Sequence, residues 1–62
     1  MKASELKKKL RKEGCYLYRQ GGRHELWYSP TTHRLFPIPR HGTQEVARGT
    51  AKAIFEAAGI EL

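Results

Sequence analysis

Cys15-Tyr16-Leu17-Tyr18-Arg19-Gln20-Gly21-Gly22-Arg23-His24-Glu25-Leu26-Trp27-Tyr28-Ser29 is the stretch on which the fold turns. Its first six residues are rich in aromatics and poor in helix formers, which argues for a strand. Gly21-Gly22 interrupts it with a turn, and His24 to Ser29 reads as a second strand. Pro30-Thr31-Thr32-His33 forms the exit turn, and Arg34 to Ile38 reads as a third strand. Pro37 lacks a backbone donor, so this third strand is expected at an edge, or paired on one side only. Links this short join antiparallel neighbours, and the three strands form a meander.

Outward from the strands, both ends of the chain read as helices. Ser4 to Glu13 carries Leu6 and Leu10 on one face. Ser4 is placed to cap it, Glu5 suits the positive end of its dipole, and Arg11 and Lys12 suit the other end. Gly14 stands where a left-handed stop is expected. Pro39 to Arg48 reads as a polar loop. The segment Gly49 to Ala58 reads as the second helix, capped by Gly49 or Thr50. Ala51, Ile54 and Ala58 share a face with Phe55 beside them, and Lys52 and Glu56 lie opposite. Gly59 ends this helix, with Ile60 folding back as the apolar contact. Two amphipathic helices need one sheet face between them. The expected fold class is therefore α+β, ordered helix-strand-strand-strand-helix. A three-stranded antiparallel sheet carries both helices on one face, an arrangement resembling double-stranded RNA-binding domains. Residues 1–62 are expected to form a single domain.

Composition narrows the function classes. With 62 residues, the chain buries only about 60% of the surface its unfolded form exposes, so stabilisation by a partner is expected. No apolar run is long enough to span a membrane, and the charged start lacks a signal-peptide core. Cys15, the single cysteine, excludes an internal disulfide and cannot build a zinc site without several partners; it is expected to be buried in a cytoplasmic protein. No cofactor is expected. The net charge is +6, with Lys2, Lys7, Lys8, Lys9, Arg11 and Lys12 crowded into the first stretch. Such charge favours a polyanion through counterion release, although an acidic protein partner or simple solubility would require the same balance.

Several short motifs, taken in order, resemble the HicA family of mRNA interferase toxins. Arg19-Gln20-Gly21-Gly22-Arg23-His24 resembles the family signature, in which a Gly-rich turn leads to a histidine opening the second strand. Ile38-Pro39-Arg40-His41 is similar to its Val/Ile-Pro stretch and histidine-containing loop. Gly49-Thr50 and Ala57-Ala58-Gly59-Ile60 resemble the beginning and end of its second helix, and Ser4-Glu5-Leu6 and Gly14 also fit. The resemblance covers nearly the whole chain. Two positions depart from the pattern: Arg23 stands where the family usually has Ser, and Cys15 where it favours a large aromatic, a volume that Tyr16 or Trp27 would take over. The resemblance implies the toxin of a type II toxin-antitoxin system. It further implies an endoribonuclease that cuts mRNA, a HicB-type antitoxin in a hetero-oligomer with it, and a catalytic histidine at His24.

Cleaving RNA without a metal needs a base for the 2′-hydroxyl proton and cations for the charge that develops on phosphorus. Histidine titrates near neutral pH and suits the first task; Arg and Lys suit the second. His24, following a Gly-Gly turn at the start of a strand, is the candidate for general base or acid, against the plainer reading of an exposed strand-edge histidine. His33 reads as a solvated turn residue. His41 either contacts phosphate or is an ordinary loop histidine. Arg23 and Arg40 are candidate phosphate contacts. Thr50 and Lys52 are too, at a helix N-terminus whose free N–H groups bind anions, unless they serve only as ordinary capping. The N-terminal lysines also read as a solvated helix face.

Alternation places Cys15 and Leu17 on one sheet face and Tyr16 and Tyr18 on the other. If Trp27, Phe36 and Ile38 enter the core, then Tyr16, Tyr18, His24, Leu26 and Tyr28 share the outer face; the opposite parity for the second strand would put Leu26 and Tyr28 inside. An outer face this apolar is suited to stack bases or receive a protein, and Tyr16, Tyr18, Leu26 and Tyr28 are the candidate antitoxin contacts. The rival readings are a non-catalytic module of the double-stranded-RNA-binding kind and a small protein-interaction domain whose charge serves an acidic partner.

Overall fold

A computed structural model describes residues 1–61; Leu62, the last residue of the expected domain, lies outside the described residues. Helix α1 (Ala3–Lys12), strands β1 (Tyr16–Gln20), β2 (His24–Ser29) and β3 (Arg34–Pro39), and helix α2 (Arg48–Ala58) follow one another. The sheet order is β1-β2-β3, antiparallel throughout. This is the expected α+β order, and β3, with its Pro37, is an edge strand.

Trp27 pairs with Leu17 on one side and Phe36 on the other, and this row sets the inner face. Trp27, Phe36, Ile38 and Cys15 are buried there with Leu6 and Leu10 of α1 and Ala51, Ile54, Phe55 and Ala58 of α2. Both helices thus share one face of the sheet, and the parity with Leu26 and Tyr28 outside holds. Of the two aromatics considered for the volume near Cys15, Trp27 is buried and Tyr16 is exposed. Leu17 departs from expectation: its partner Trp27 is buried, yet Leu17 itself is 44% exposed, because β1 is an outer strand that the helices leave partly uncovered. A bulge between Leu17 and Arg19 leaves Tyr18 without a partner in the β1–β2 register, which locally increases twist.

The helix boundaries differ from the sequence reading for a tertiary reason. Helix α1 begins at Ala3, with Lys2 in the cap position, not at Ser4. The N–H groups of Ala3 and Ser4 donate to the carbonyls of Gln44 (2.9 Å) and Gly42 (3.0 Å). The distant loop therefore supplies acceptors that a Ser4 hydroxyl was expected to provide. That loop is not simply polar: Val46 is buried in the core, and its N–H donates to the Met1 carbonyl at 2.8 Å. Helix α2 begins at Arg48 behind Ala47, without a side-chain cap, so neither Gly49 nor Thr50 caps it.

The C-terminal ends of both helices follow expectation. Cys15 N–H reaches the Leu10 carbonyl and Gly14 N–H that of Arg11, each at 3.0 Å; Ile60 N–H reaches Phe55 and Gly59 N–H reaches Glu56 at 2.9 and 3.1 Å. These are the paired bonds of a Schellman stop. The turn between β2 and β3 closes the α2 end further. The buried Ser29 hydroxyl donates to the Ala58 carbonyl at 2.7 Å and the Thr32 hydroxyl to that of Ala57 at 2.6 Å. No helix among the described residues is long and apolar enough to cross a membrane.

Candidate functional site

His24 begins β2 opposite Pro39, on the sheet face away from the helices. Its ring is exposed and has no hydrogen-bond partner among the described residues, while its backbone is closely held. The His24 carbonyl accepts from Gly21 N–H at 2.9 Å. A Cβ on Gly21 would stand 2.8 Å from that same oxygen, so this approach requires glycine. The Gly-rich turn thus presents an imidazole to solvent on a fixed backbone.

Arg40 closes the other side of the turn. Its N–H donates to the Arg23 carbonyl at 3.1 Å, and its Nη1 to the Gly22 carbonyl at 3.3 Å. With the Gln20 amide turned so that its oxygen faces the guanidinium, that oxygen accepts from Nε and Nη2 at 3.0 and 3.1 Å. Arg40, expected as a phosphate contact, is exposed and also bonds with its fork to the strand ends that flank His24. Arg23 is exposed at the turn, and His41 is exposed directly after Arg40. Arg23, His24 and Arg40 meet at one rim of the sheet, and His41 follows Arg40 in the chain.

Thr50 and Lys52 are placed elsewhere. They are exposed on α2, which packs against the opposite face of the sheet, and Lys52 borders an open groove with Met1, Arg48, Ala51 and Phe55. His33 is exposed in the β2–β3 turn with φ 58, and its Nδ1 lies 2.8 Å from the Tyr28 hydroxyl.

The outer face is built in rows. Tyr16, Tyr28 and Leu35 form one; Arg19, Leu26 and Pro37 form the next; His24 and Pro39 follow. Tyr16 and Tyr28 pack at 5.5 Å between ring centroids. Tyr16, Tyr18 and Leu35 are each about half exposed. Leu35 was missed in the sequence, although its alternation with Phe36 signals the same face as Leu26.

Beneath the rim, on the inner face, sits an ion pair that sequence reasoning also missed. Lys7 Nζ lies 2.9 Å from Glu25 Oε1, with side-chain exposures of 8% and 14%. Lys7 also donates to the Arg40 carbonyl at 2.9 Å, and Glu25 accepts from Trp27 Nε1 at 3.0 Å. Burial alone would raise the Glu25 pKa. The hydrogen bonds from Lys7 and Trp27, with the charges of Lys7 and Arg11, outweigh that and hold the carboxyl below the usual range. The Arg11 guanidinium stands over the Trp27 ring at 5.1 Å. In sequence Lys7 reads with Lys8 and Lys9 as part of a solvated run of charge; the residue that buries it, Glu25, is distant in the chain. No group of three or more metal-ligating side chains occurs among the described residues.

A family model described as "HicA toxin of bacterial toxin-antitoxin" matches residues 3–60 of the chain. No curated protein and no solved structure matches at a significant level. The family match runs from the first residue of α1 through the stop of α2, taking in the His24 turn, the Arg40 loop and both C-terminal glycine caps, and on that ground the chain belongs to the HicA toxin family, the toxin component of toxin-antitoxin systems, with an antitoxin as its partner.

Proposed function

We propose that this toxin is a cytoplasmic endoribonuclease that cuts mRNA by acid–base catalysis at His24, without a metal. The observation that carries the reading is an exposed imidazole on a fixed turn, with Arg23 beside it, in a chain of a toxin family. In-line attack of a 2′-oxygen on the adjacent phosphorus breaks the bond to the 5′-oxygen and leaves a cyclic phosphate. His24 takes the 2′-hydroxyl proton as base, or gives a proton to the leaving 5′-oxygen as acid. Arg23 and His41 meet phosphate at the same rim, and Thr50 and Lys52 meet RNA backbone from α2. Such proton transfer contributes about 10²–10⁴-fold. His24→Ala is expected to abolish cleavage and growth inhibition while keeping the fold, because the ring makes no core contact. Full cleavage by folded His24→Ala protein rejects the assignment. Strong inhibition of the wild type by EDTA would replace it with a metal nuclease.

The antitoxin, of the HicB type in this reading, covers His24 by docking on the outer face in a hetero-oligomer. Tyr16, Tyr18, Leu26 and Tyr28 supply its contacts, and Leu35 continues the same apolar surface. Tyrosine joins a large apolar ring to a polar tip, which suits interfaces. Tyr16→Ala or Tyr18→Ala is expected to weaken antitoxin binding by about 1–2 kcal/mol. Hydrogen exchange in which the complex protects only the helices, leaving β1 and β2 unchanged, would refute this arrangement.

A further inference from the structure

We infer that Lys7 and Arg40 are positioning residues for His24, linked in a relay that runs from helix α1 through the sheet to the catalytic rim. This inference rests on the reading of His24 as the acid–base group.

The relay is continuous. Lys7, buried on the inner face, bonds at once to the Glu25 carboxylate and to the Arg40 carbonyl, both at 2.9 Å. Glu25 directly follows His24 in β2 and alternates to the other face, so pinning Glu25 from below fixes the backbone that presents His24 above. The same ammonium fixes the Arg40 carbonyl. The Arg40 N–H then holds the Arg23 carbonyl, and its guanidinium bridges Gln20 and Gly22. Gly21 N–H on the His24 carbonyl closes the circuit. Both sides of the turn are tied to one buried cation.

A buried ion pair is weak evidence of a stabilising role, since apolar replacements often serve as well. The additional bond from Lys7 to a main-chain carbonyl of the rim is what an apolar replacement would not reproduce. Small displacements at a reacting centre lower rates strongly, by roughly a hundredfold for about an ångström. A positioning role therefore predicts loss in kcat with little change in KM. A phosphate contact predicts weaker RNA binding and partial rescue by any cation.

The test uses the full-length toxin with an RNA substrate and four variants: His24→Ala, Arg40→Ala, Arg40→Lys, and the double variant Lys7→Met/Glu25→Gln. The double variant removes both buried charges together and keeps an acceptor for the Trp27 indole, so it retains the fold where removal of Lys7 alone would strand a carboxylate. Expected is a kcat lowered roughly tenfold to a hundredfold in the double variant and in Arg40→Ala, with KM within about twofold. Arg40→Lys is expected not to restore kcat, because an ammonium cannot reproduce the planar fork. Amide exchange at Gly21 and Arg40 is expected to quicken in the double variant, while amides of α2 stay protected. Full kcat in a folded double variant with His24-dependent cleavage overturns the relay and leaves the assignment of His24 standing. So does a rise in KM alone, rescue by Arg40→Lys, or unchanged exchange at the two rim amides. Absence of cleavage by the wild type, or cleavage surviving in His24→Ala, overturns the assignment of His24 and the relay with it.

Discussion

At Gly21 an added methyl group would meet the His24 carbonyl oxygen at 2.8 Å, inside van der Waals contact and against backbone that cannot swing away. Gly22, its neighbour, has nothing within 4 Å of the same position. The two glycines of the turn are therefore unequal. Gly21→Ala is expected to lower stability by about 1–3 kcal/mol, the range for overpacking, and to reduce cleavage by shifting His24. Gly22→Ala is expected to do much less to either. Equal effects in denaturation and cleavage assays would show that the close approach is not the constraint. Lys7 carries a similar lesson in charge. Three lysines in a row look alike on paper, yet Lys7 is buried and Lys8 and Lys9 are exposed, because only Lys7 meets Glu25.

The two ends of α2 differ in what holds them. The C-terminal end is over-determined: Gly59 adopts φ 77, a Cβ there would stand 2.7 Å from Thr32 Cγ2, and Ser29 and Thr32 cap the last carbonyls. The N-terminal end has no side-chain cap, and Gly49 in its first turn has open space around it. Gly59→Ala is expected to destabilise by about 1–2 kcal/mol, the cost of a left-handed conformation for a residue with a Cβ. Gly49→Ala is expected to stabilise by about 0.4–1 kcal/mol through loss of freedom in the unfolded chain. Thermal or chemical denaturation of the two variants reads both signs, and the same sign for both would contradict this account.

Across the whole molecule, buried and exposed charges have different duties. The Glu25 carboxyl is buried on the inner face and held below its ordinary range. Its ionised form is favoured in the folded protein, so its contribution is complete above the unfolded pKa, about 4, and is lost as pH falls through the lower folded value. Glu25→Gln is expected to be less stable than the wild type at neutral pH, with the difference shrinking on acidification. Glu45, whose carboxyl is lowered by its hydrogen bond and ion pair with the Met1 ammonium, is present in both proteins and does not affect that comparison. A stability difference that stays constant into acid would contradict the ion-pair assignment. On the helix side, Lys52→Ala is expected to weaken RNA binding for every sequence and to reduce the salt slope by roughly one phosphate. A loss confined to particular bases would argue against a backbone contact.

Periodicity and turn chemistry are local, and they made the element order, the antiparallel meander, the edge position of β3 and the glycine stops readable from the sequence. The Gly21-Gly22 turn, and with it the place of His24 at the start of β2, were readable for the same reason, since a turn and the residue after it are set by near neighbours; a catalytic role for His24 is what the family resemblance implies. Tertiary structure alone decided what depends on groups far apart in the chain. It replaced the Ser4 cap with carbonyls from Gly42 and Gln44, drew Val46 into the core, and paired Lys7 with Glu25. It also made Arg40 a clamp on Gln20 and Gly22. A buried charge or an unpaired helix N–H must find a partner wherever the folded chain brings one within reach, and sequence spacing does not encode that distance.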